Sequence, residues 1–185
     1  MKTIATTLEG LLILQPKVFA DERGYFLETY HALRCREAGI ATSFVQDNLS
    51  FSKKNVLRGL HFQISQPQAK LVQVISGEIF DVAVDIRPGS ATFGKWAGVV
   101  LSEENKHQLL VPEGFAHGFC VLSEFARVAY KCSTFYNPGD EGGIHWADPE
   151  IGIDWPIKDP ILSEKDRMLP RLSEITSAQL YRGKK

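Results

Sequence analysis

Short apolar runs separated by turn residues fill the middle of the chain, from about residue 71 to residue 133. Residues 81–86 alternate with period two, as expected of a strand with one buried face. Clusters of Gly, Pro, Ser and Asn punctuate the runs, and no helical periodicity separates them. This pattern is typical of an antiparallel β-sandwich or barrel. The further strand candidates are residues 99–101, 109–111, 119–122 and 126–130.

The patterns that favour helices lie at the margins of the chain. Residues 30–38 predict a short helix that ends at Gly39. Ser163 begins a second short helix with a spacing similar to a capping box, and Pro170 cuts it short. A last helical stretch is predicted over residues 173–180. We therefore expect residues 1–185 to form a single all-β domain with a few short peripheral helices.

The charge balance argues against partners that bind through the overall charge of the protein. The 185 residues are 44% hydrophobic and 23% charged, with a net charge of −1 from 21 basic and 22 acidic side chains. That balance gives no general attraction to nucleic acid or to an anionic membrane, so we expect neither as a partner. An anionic ligand would have to be held by a local group of cations.

The cysteines agree with a reducing compartment, and the hydropathy pattern predicts no membrane span. Cys35, Cys120 and Cys132 are odd in number and show no CxxC spacing, so they predict neither a disulfide framework nor a zinc site. No apolar stretch approaches the length of a membrane span. We expect a cytoplasmic protein.

One motif points to a specific kind of barrel. Residues 112–117 have the form P-x-G-x-x-H, ending at His117, and resemble the second motif of the cupin superfamily. The first cupin motif normally supplies a His-x-His pair and then an acidic ligand to a metal. Here His61 is followed by Gln63 in place of the second histidine, and Lys70 stands roughly where the acidic ligand would be. A divalent cation needs several convergent donors without a nearby positive charge, so we expect a metal-free barrel of the jelly-roll type.

His61, Lys70 and Tyr130 are residue types that suit proton abstraction beside a carbonyl. A neutral base takes the proton, a cation stabilises the enolate oxygen, and a phenol returns a proton. Arg58 and His61 are three residues apart and face opposite sides of a strand, unless Gly59 marks a bulge. The plainer alternative places Lys70 in a surface ion pair, Tyr130 at a barrel end and Asp166 as a helix cap.

A resemblance that covers nearly the whole chain favours the catalytic interpretation over the plainer one. An ordered series of segments is similar to the dTDP-4-dehydrorhamnose 3,5-epimerase family, the third enzymes of dTDP-L-rhamnose biosynthesis. The resemblance implies epimerisation at C3 and C5 of dTDP-4-dehydro-6-deoxy-D-glucose without a cofactor. The segments are residues 16–19, 21–24, 44–48, 55–63, 70–72, 80–87, 112–119, 130–131, 136, 153–156 and 162–166.

The same resemblance implies roles for four catalytic residues. His61 matches the general base, and Asp166 matches the carboxylate that fixes its tautomer. Tyr130 matches the acid on the opposite face of the sugar, and Lys70 matches the residue beside the C4 oxygen. The substrate-binding candidates are Arg23 and Arg58 for the pyrophosphate, Phe19 and Tyr136 for the thymine, Glu28, Gln46 and Asn48 for polar contacts, and His117 for the sugar.

Family members are homodimers, which implies that an N-terminal arm of about residues 1–55 takes part in dimerisation. The barrel is then expected over residues 56–140 and a C-terminal helical segment over residues 160–182. Two alternatives stay open: an epimerase that acts at a single carbon of a related 4-keto nucleotide sugar, and a sugar-binding cupin without catalytic activity.

Overall fold

The computed structural model describes residues 1–181, which contain thirteen strands and two short α-helices. The helices are α1 (Ala32–Glu37) and α2 (Glu164–Arg167), with 3-10 turns at Pro138–Asp140, Leu172–Glu174 and Ser177–Gln179. The strands are β1 (Lys2–Ala5), β2 (Leu12–Gln15), β3 (Val18–Asp21), β4 (Gly24–Leu27), β5 (Gln46–Lys53), β6 (Leu57–Gln63), β7 (Lys70–Ser76), β8 (Glu78–Asp85), β9 (Trp96–Ser102), β10 (Gln108–Val111), β11 (Phe115–Val121), β12 (Phe125–Cys132) and β13 (Glu141–Gly143).

Two antiparallel sheets pack face to face. The six-stranded sheet has the order β1-β2-β10-β7-β12-β5, and the five-stranded sheet has the order β13-β6-β11-β8-β9. Strands β3 and β4 form a separate hairpin. The prediction of an all-β antiparallel barrel of the cupin type, with a few short helices, is confirmed.

The main core lies between the two sheets, where alternate residues of each strand point inward. Val72, Val74 and Val128 of the six-stranded sheet meet Ile79, Ala83 and other residues of the five-stranded sheet there. Strand β8 is buried on both faces, whereas the pattern predicted one, because its outward Val82 and Val84 lie under the C-terminal segment.

The N-terminal segment belongs partly to the barrel of its own chain. Strands β1, β2 and β5 all fall within residues 1–55, and each is paired in the six-stranded sheet. The barrel therefore begins before residue 56. The β3–β4 hairpin stands outside both sheets and exposes large side chains, with Phe19 52%, Tyr25 59% and Phe26 69% exposed.

Two of the three predicted helices form, and the third does not. Helix α1 is followed by Gly39, whose φ of +82° is the left-handed conformation that ends helices. The continuous helix predicted over residues 173–180 is wrong: Leu172 and Leu180 both pack on the outer face of the five-stranded sheet, and two 3-10 turns connect them. Residue 182 of the predicted C-terminal segment lies outside the described residues. No helix within residues 1–181 is long and apolar enough to cross a membrane.

Candidate active site

The four predicted catalytic residues line one cavity of about 360 Å³ between the sheets. His61 comes from β6, Lys70 from the first position of β7, Tyr130 from β12 and Asp166 from α2. A second cavity of about 210 Å³ adjoins it and shares His61, Lys70 and Tyr130. Side chains from three strands and one helix, distant in the chain, therefore converge on one space.

His61 and Asp166 form a close pair. The His61 Nε2 atom lies 2.6 Å from Asp166 Oδ1, and Asp166 is 4% exposed. Burial is the largest single influence and acts to raise the pKa of Asp166. The hydrogen bond and charge of His61, together with hydrogen bonds from Ser163 and the Gly59 backbone, outweigh burial, so the pKa lies below its usual value. Because an ionised carboxylate only accepts hydrogen bonds, Nε2 carries a proton and Nδ1 is available to take another.

Ser163, and not Asp166, caps helix α2. The Ser163 Oγ atom accepts a hydrogen bond from the Asp166 backbone N–H at 3.1 Å. The alternative in which the Asp166 side chain serves as a helix cap therefore does not hold, and its carboxylate pairs with His61 instead.

Lys70 and Tyr130 both have shifted pKa values that follow from their partial enclosure. Burial lowers the pKa of Lys70, and the nearby Cys132, Asp81 and Glu141 oppose that shift only in part. Burial raises the pKa of Tyr130, so its phenol keeps its proton at neutral pH. Lys70 lines the cavity, where the plainer alternative expected a surface ion pair.

A bulge at Gly59 brings Arg58 to the same cavity as His61. The register between β6 and β11 shifts between the pairs His117–His61 and Phe119–Arg58. Gly59 has φ +122°, and a Cβ there would lie 2.6 Å from the Cα of Gly118, so only glycine fits. Gly59 thus marks the bulge that the sequence left open, and Arg58 Nε donates to Ser52 Oγ at 2.9 Å beside the cavity.

Three predicted binding residues gather at the adjoining cavity. Gln46, Asn48 and Tyr136 all line it. The Tyr136 backbone N–H donates to Gln46 Oε1 at 2.9 Å, and Gln46 Nε2 donates to Asn48 Oδ1 at 3.0 Å. This chain of bonds connects strand β5 to the segment that carries the half-exposed Tyr136 ring.

Three other predicted binding residues do not reach the cavity of their own chain. Phe19 lies on the exposed hairpin, and Arg23 lies at its tip, paired with Asp21 at 2.5 Å. Glu28 accepts a hydrogen bond from Arg34 of α1 at 2.7 Å. None of the three lines either cavity around His61.

The sequence analysis missed Glu141 and Lys165, which lie at the mouth of the cavity. Tyr136 Oη donates to Glu141 Oε2 at 2.9 Å, and Lys165 forms an ion pair with the same carboxylate. Burial opposes the ionisation of Glu141, but the hydrogen bonds from Lys165 and Tyr136, together with the charges of His61 and Lys165, hold its pKa below the usual value. The signals were weak: Lys165 directly precedes Asp166, and Glu141 follows a turn of Asn, Pro, Gly and Asp.

The residues at the positions of cupin metal ligands do not fit a metal centre. Gln63 Nε2 donates to the carbonyl of Gln66, and Gln63 Oε1 accepts from the backbone N–H of Asn137. Lys70 lines the same cavity as His61, and its positive charge disfavours a bound metal cation there. Within residues 1–181, no three His, Cys, Asp or Glu side chains come together in a way that holds a metal ion.

The comparisons with known proteins agree with one another. A sequence profile of the family described as dTDP-4-dehydrorhamnose 3,5-epimerase matches residues 5–174. The curated dTDP-4-dehydrorhamnose 3,5-epimerase of Methanothermobacter thermautotrophicus is 55% identical over 174 residues, which are 92% of this chain and 94% of that protein. The dTDP-4-dehydrorhamnose 3-epimerase of Streptomyces niveus is 42% identical over 175 residues, 94% of this chain and 84% of its own.

A solved structure extends the similarity to the whole fold. The crystal structure of a dTDP-6-deoxy-D-glucose-3,5-epimerase from Legionella pneumophila, in complex with dTDP-4-keto-L-rhamnose, is 52% identical to this chain. The two match with a TM-score of 0.95, and the match covers 100% of this chain and 99% of the other. From sequence and fold together, this chain belongs to the dTDP-4-dehydrorhamnose 3,5-epimerase family.

Proposed function

We propose that this protein is a dTDP-4-dehydrorhamnose 3,5-epimerase, which converts dTDP-4-dehydro-6-deoxy-D-glucose to dTDP-4-dehydro-β-L-rhamnose in dTDP-L-rhamnose biosynthesis. Family membership and 55% identity to a curated enzyme of that name support the proposal. The observation that carries it is the His61–Asp166 pair in one cavity with Lys70 and Tyr130.

The chemistry needs only these side chains. The C3 and C5 hydrogens both flank the C4 ketone, so loss of either proton gives an enolate. His61 Nδ1 takes the proton, the C–H electron pair forms the C=C bond, and the carbonyl electrons move to the C4 oxygen. The Lys70 ammonium stabilises that oxygen. Tyr130 then donates its phenolic proton to carbon, the ketone re-forms, and solvent restores both residues.

The positions of the base and the acid suit inversion. His61 lies on the five-stranded sheet and Tyr130 on the six-stranded sheet, so they line the cavity from opposite walls. A carbon centre inverts only when the proton returns to the face opposite the one that lost it. A sugar ring held between the two walls meets that requirement.

Deuterium incorporation tests the double epimerisation. The protein is incubated with the 4-keto nucleotide sugar in heavy water, with the pathway reductase and NADPH to trap the product. NMR then locates the label, which is expected at both C3 and C5. The Streptomyces niveus 3-epimerase supports one alternative, action at a single carbon, and label at C3 alone would establish it and contradict our proposal.

Two further outcomes separate the remaining alternatives. A sugar-binding cupin without activity would bind the nucleotide sugar and incorporate no deuterium. We propose that no metal takes part, so activity is expected to survive exhaustive chelation. Loss of activity that added metal restores would contradict that part of the proposal.

We also propose that the protein works as a homodimer in which the β3–β4 hairpin completes the partner's site. Phe19, Arg23 and Glu28 lie outside the cavity of their own chain, and the hairpin exposes its aromatic side chains. The outer face of β5, β12 and β7 is also uncovered, with Leu49 68% and Ile75 48% exposed along one groove. A second copy accounts for both features.

Mixed dimers test this arrangement. Arg23→Ala and His61→Ala chains are expected to be poorly active alone, but their co-expressed hybrid contains one site with an intact His61 and the partner's intact Arg23. Activity should therefore recover. The matched control combines Tyr130→Phe with His61→Ala, which damages the same cavity in both chains and should show no recovery. No recovery in the first mixture, with hybrid formation verified, would contradict the exchange.

A further inference from the structure

A second histidine–carboxylate pair stands at the wall of the cavity, which His117 lines, and the proton transfers described above do not use this pair. His117 Nε2 lies 2.5 Å from Asp81 Oδ1, and the two residues are 8% and 0% exposed. The other oxygen of Asp81, Oδ2, is buried and has no hydrogen-bond partner within residues 1–181. Burying a carboxylate with one oxygen unsatisfied is costly, so its presence calls for an explanation beyond packing.

The topology places this pair beside the proton-transfer residues. His117 on β11 stands directly opposite His61 on β6 in the strand register, and both rings line the same cavity with Lys70. Asp81 lies on the neighbouring strand β8, on the face that carries Ile79 and Ala83 into the core. The carboxylate therefore stands behind the His117 ring, away from solvent.

The chemistry of the pair determines which nitrogen of His117 is available. A carboxylate accepts hydrogen bonds and donates none, so His117 Nε2 must carry the proton that it shares with Asp81. In the neutral ring, Nδ1 is then unprotonated and acts as an acceptor. The buried charge of Asp81 also raises the pKa of Lys70, against the larger effect of burial.

We propose that Asp81 is a positioning residue for the sugar: it holds the His117 ring through Nε2, so that His117 Nδ1 accepts a hydrogen bond from a sugar hydroxyl and sets the C4 oxygen against Lys70. The inference rests on the proposed function, because it takes a 4-keto sugar as the ligand. It assigns His117 no proton transfer to carbon. It also explains why a carboxylate is kept in an otherwise apolar layer.

The tautomer of His117 tests the first step without substrate. Long-range ¹H–¹⁵N correlation spectra of the ¹⁵N-labelled protein distinguish the two ring nitrogens, and His117→Gln identifies the signal. The wild type is expected to carry a proton on Nε2 and none on Nδ1. Asp81→Asn should lose this single tautomer. A proton on Nδ1 in the wild type would overturn the proposal, even if Asp81→Asn failed to fold.

Kinetics test the second step, with a control from the same strand. Asp81→Asn is expected to lower kcat/KM by about 10- to 100-fold, the range that misplacing a substrate costs. Asp85 is equally buried on the same face of β8, but it accepts hydrogen bonds from Arg87, Ser90 and Thr92 away from the cavity. Asp85→Asn should therefore lower stability and leave kcat and KM of the folded enzyme unchanged.

A double variant separates positioning from general damage. If Asp81 acts through His117, the double variant Asp81→Asn/His117→Gln should lose no more activity than His117→Gln alone. Additive losses, or an Asp81→Asn enzyme with wild-type kinetics, would overturn the proposal. Failure of the proposed function is a different result: the wild type itself would then show no epimerisation, while the tautomer measurement would still stand.

Discussion

His61 and Tyr130 differ in what their removal should do, because one takes a proton and the other returns it. In His61→Ala the base is absent, so exchange of the C3 and C5 hydrogens with heavy water should fall to background. Tyr130→Phe keeps the His61–Asp166 pair, so some exchange should persist while net inversion falls by about 100-fold or more. NMR of the recovered sugar measures both quantities. Equal exchange in both variants and the wild type would contradict these roles.

Lys70 should set the alkaline limit of activity. It stabilises the enolate only while protonated, and burial lowers its pKa from the usual 10.5. Burial raises the pKa of Tyr130 from the usual 10.0, so the phenol keeps its proton to higher pH than a free tyrosine does. The kcat of the wild type should therefore decline below pH 10.5, and in Lys70→Arg this decline should move to higher pH. A full pH profile of both enzymes measures it, and an unmoved alkaline limb in the variant would assign the limit to another group.

At the scale of single elements, the four-residue helix α2 holds Asp166 against His61. Its cap is the Ser163 hydroxyl, and Ser163→Ala should cost about 1 kcal/mol of folding free energy. In a chain of this length, that lowers the thermal midpoint by about 2–4 °C. The activity should fall as well, because Asp166 loses its fixed position.

Ser163→Thr is the matched control for the cap, because threonine keeps the hydroxyl. Ser163→Thr should keep the thermal midpoint and the kcat of the wild type. If Ser163→Ala lowers the midpoint but leaves kcat unchanged, the cap stabilises the helix without positioning the dyad. Calorimetry and initial-rate kinetics on the three proteins distinguish these results.

The elements that sequence pattern predicted well are those that depend on local residues. The period-two segment at residues 81–86 overlaps β8, which ends at Asp85, and Ser163 does cap α2. The helix predicted over residues 173–180 is absent because two buried leucines tie that segment to a distant sheet, which no local pattern records. Gly59 is an intermediate case. The sequence showed that Arg58 and His61 could share a pocket only if Gly59 formed a bulge, and the structure shows that bulge.

In the site, too, the sequence did not predict contacts between residues that are far apart in the chain. His61 and Asp166 are 105 residues apart, so only family resemblance linked them before the structure did. Asp81 was missed because its partner His117 comes from another strand, and Glu141 was missed because Lys165 comes from the distant helix α2. A buried aspartate in an alternating strand reads as an ordinary polar position until the fold shows that both faces of the strand are covered.

At the scale of the whole molecule, a nearly neutral chain still presents local positive charge. The net charge is −1, yet Arg58, Lys70 and Lys165 all line the cavity between the sheets. Asp166 and Glu141 are held ionised by His61 and Lys165, so these carboxylates are already partnered. Local placement, and not overall charge, is what suits this cavity to an anionic nucleotide sugar.

The uncovered face of the six-stranded sheet gives the last prediction. Leu49 and Ile75 line a groove of about 480 Å³ on that face, and Phe51 and Phe125 stack beside it at 5.8 Å. A charge in the buried interface of the proposed homodimer is unfavourable, so Leu49→Lys should shift the protein from dimer to monomer in light scattering. Val100→Lys is the control, since Val100 is 40% exposed on β9, at the edge of the other sheet, and should leave the dimer intact.

The kinetics of the Leu49→Lys monomer then connect assembly to function. Its cavity keeps His61, Lys70 and Tyr130 but lacks the partner's hairpin, which carries Phe19 and Arg23. Because these residues are proposed to bind the nucleotide, KM should rise much more than kcat falls. Raising the protein concentration until dimers re-form should restore KM. A monomer with wild-type KM would show that the hairpin adds nothing to the partner's site, and a dimer that persists in Leu49→Lys would place the interface elsewhere.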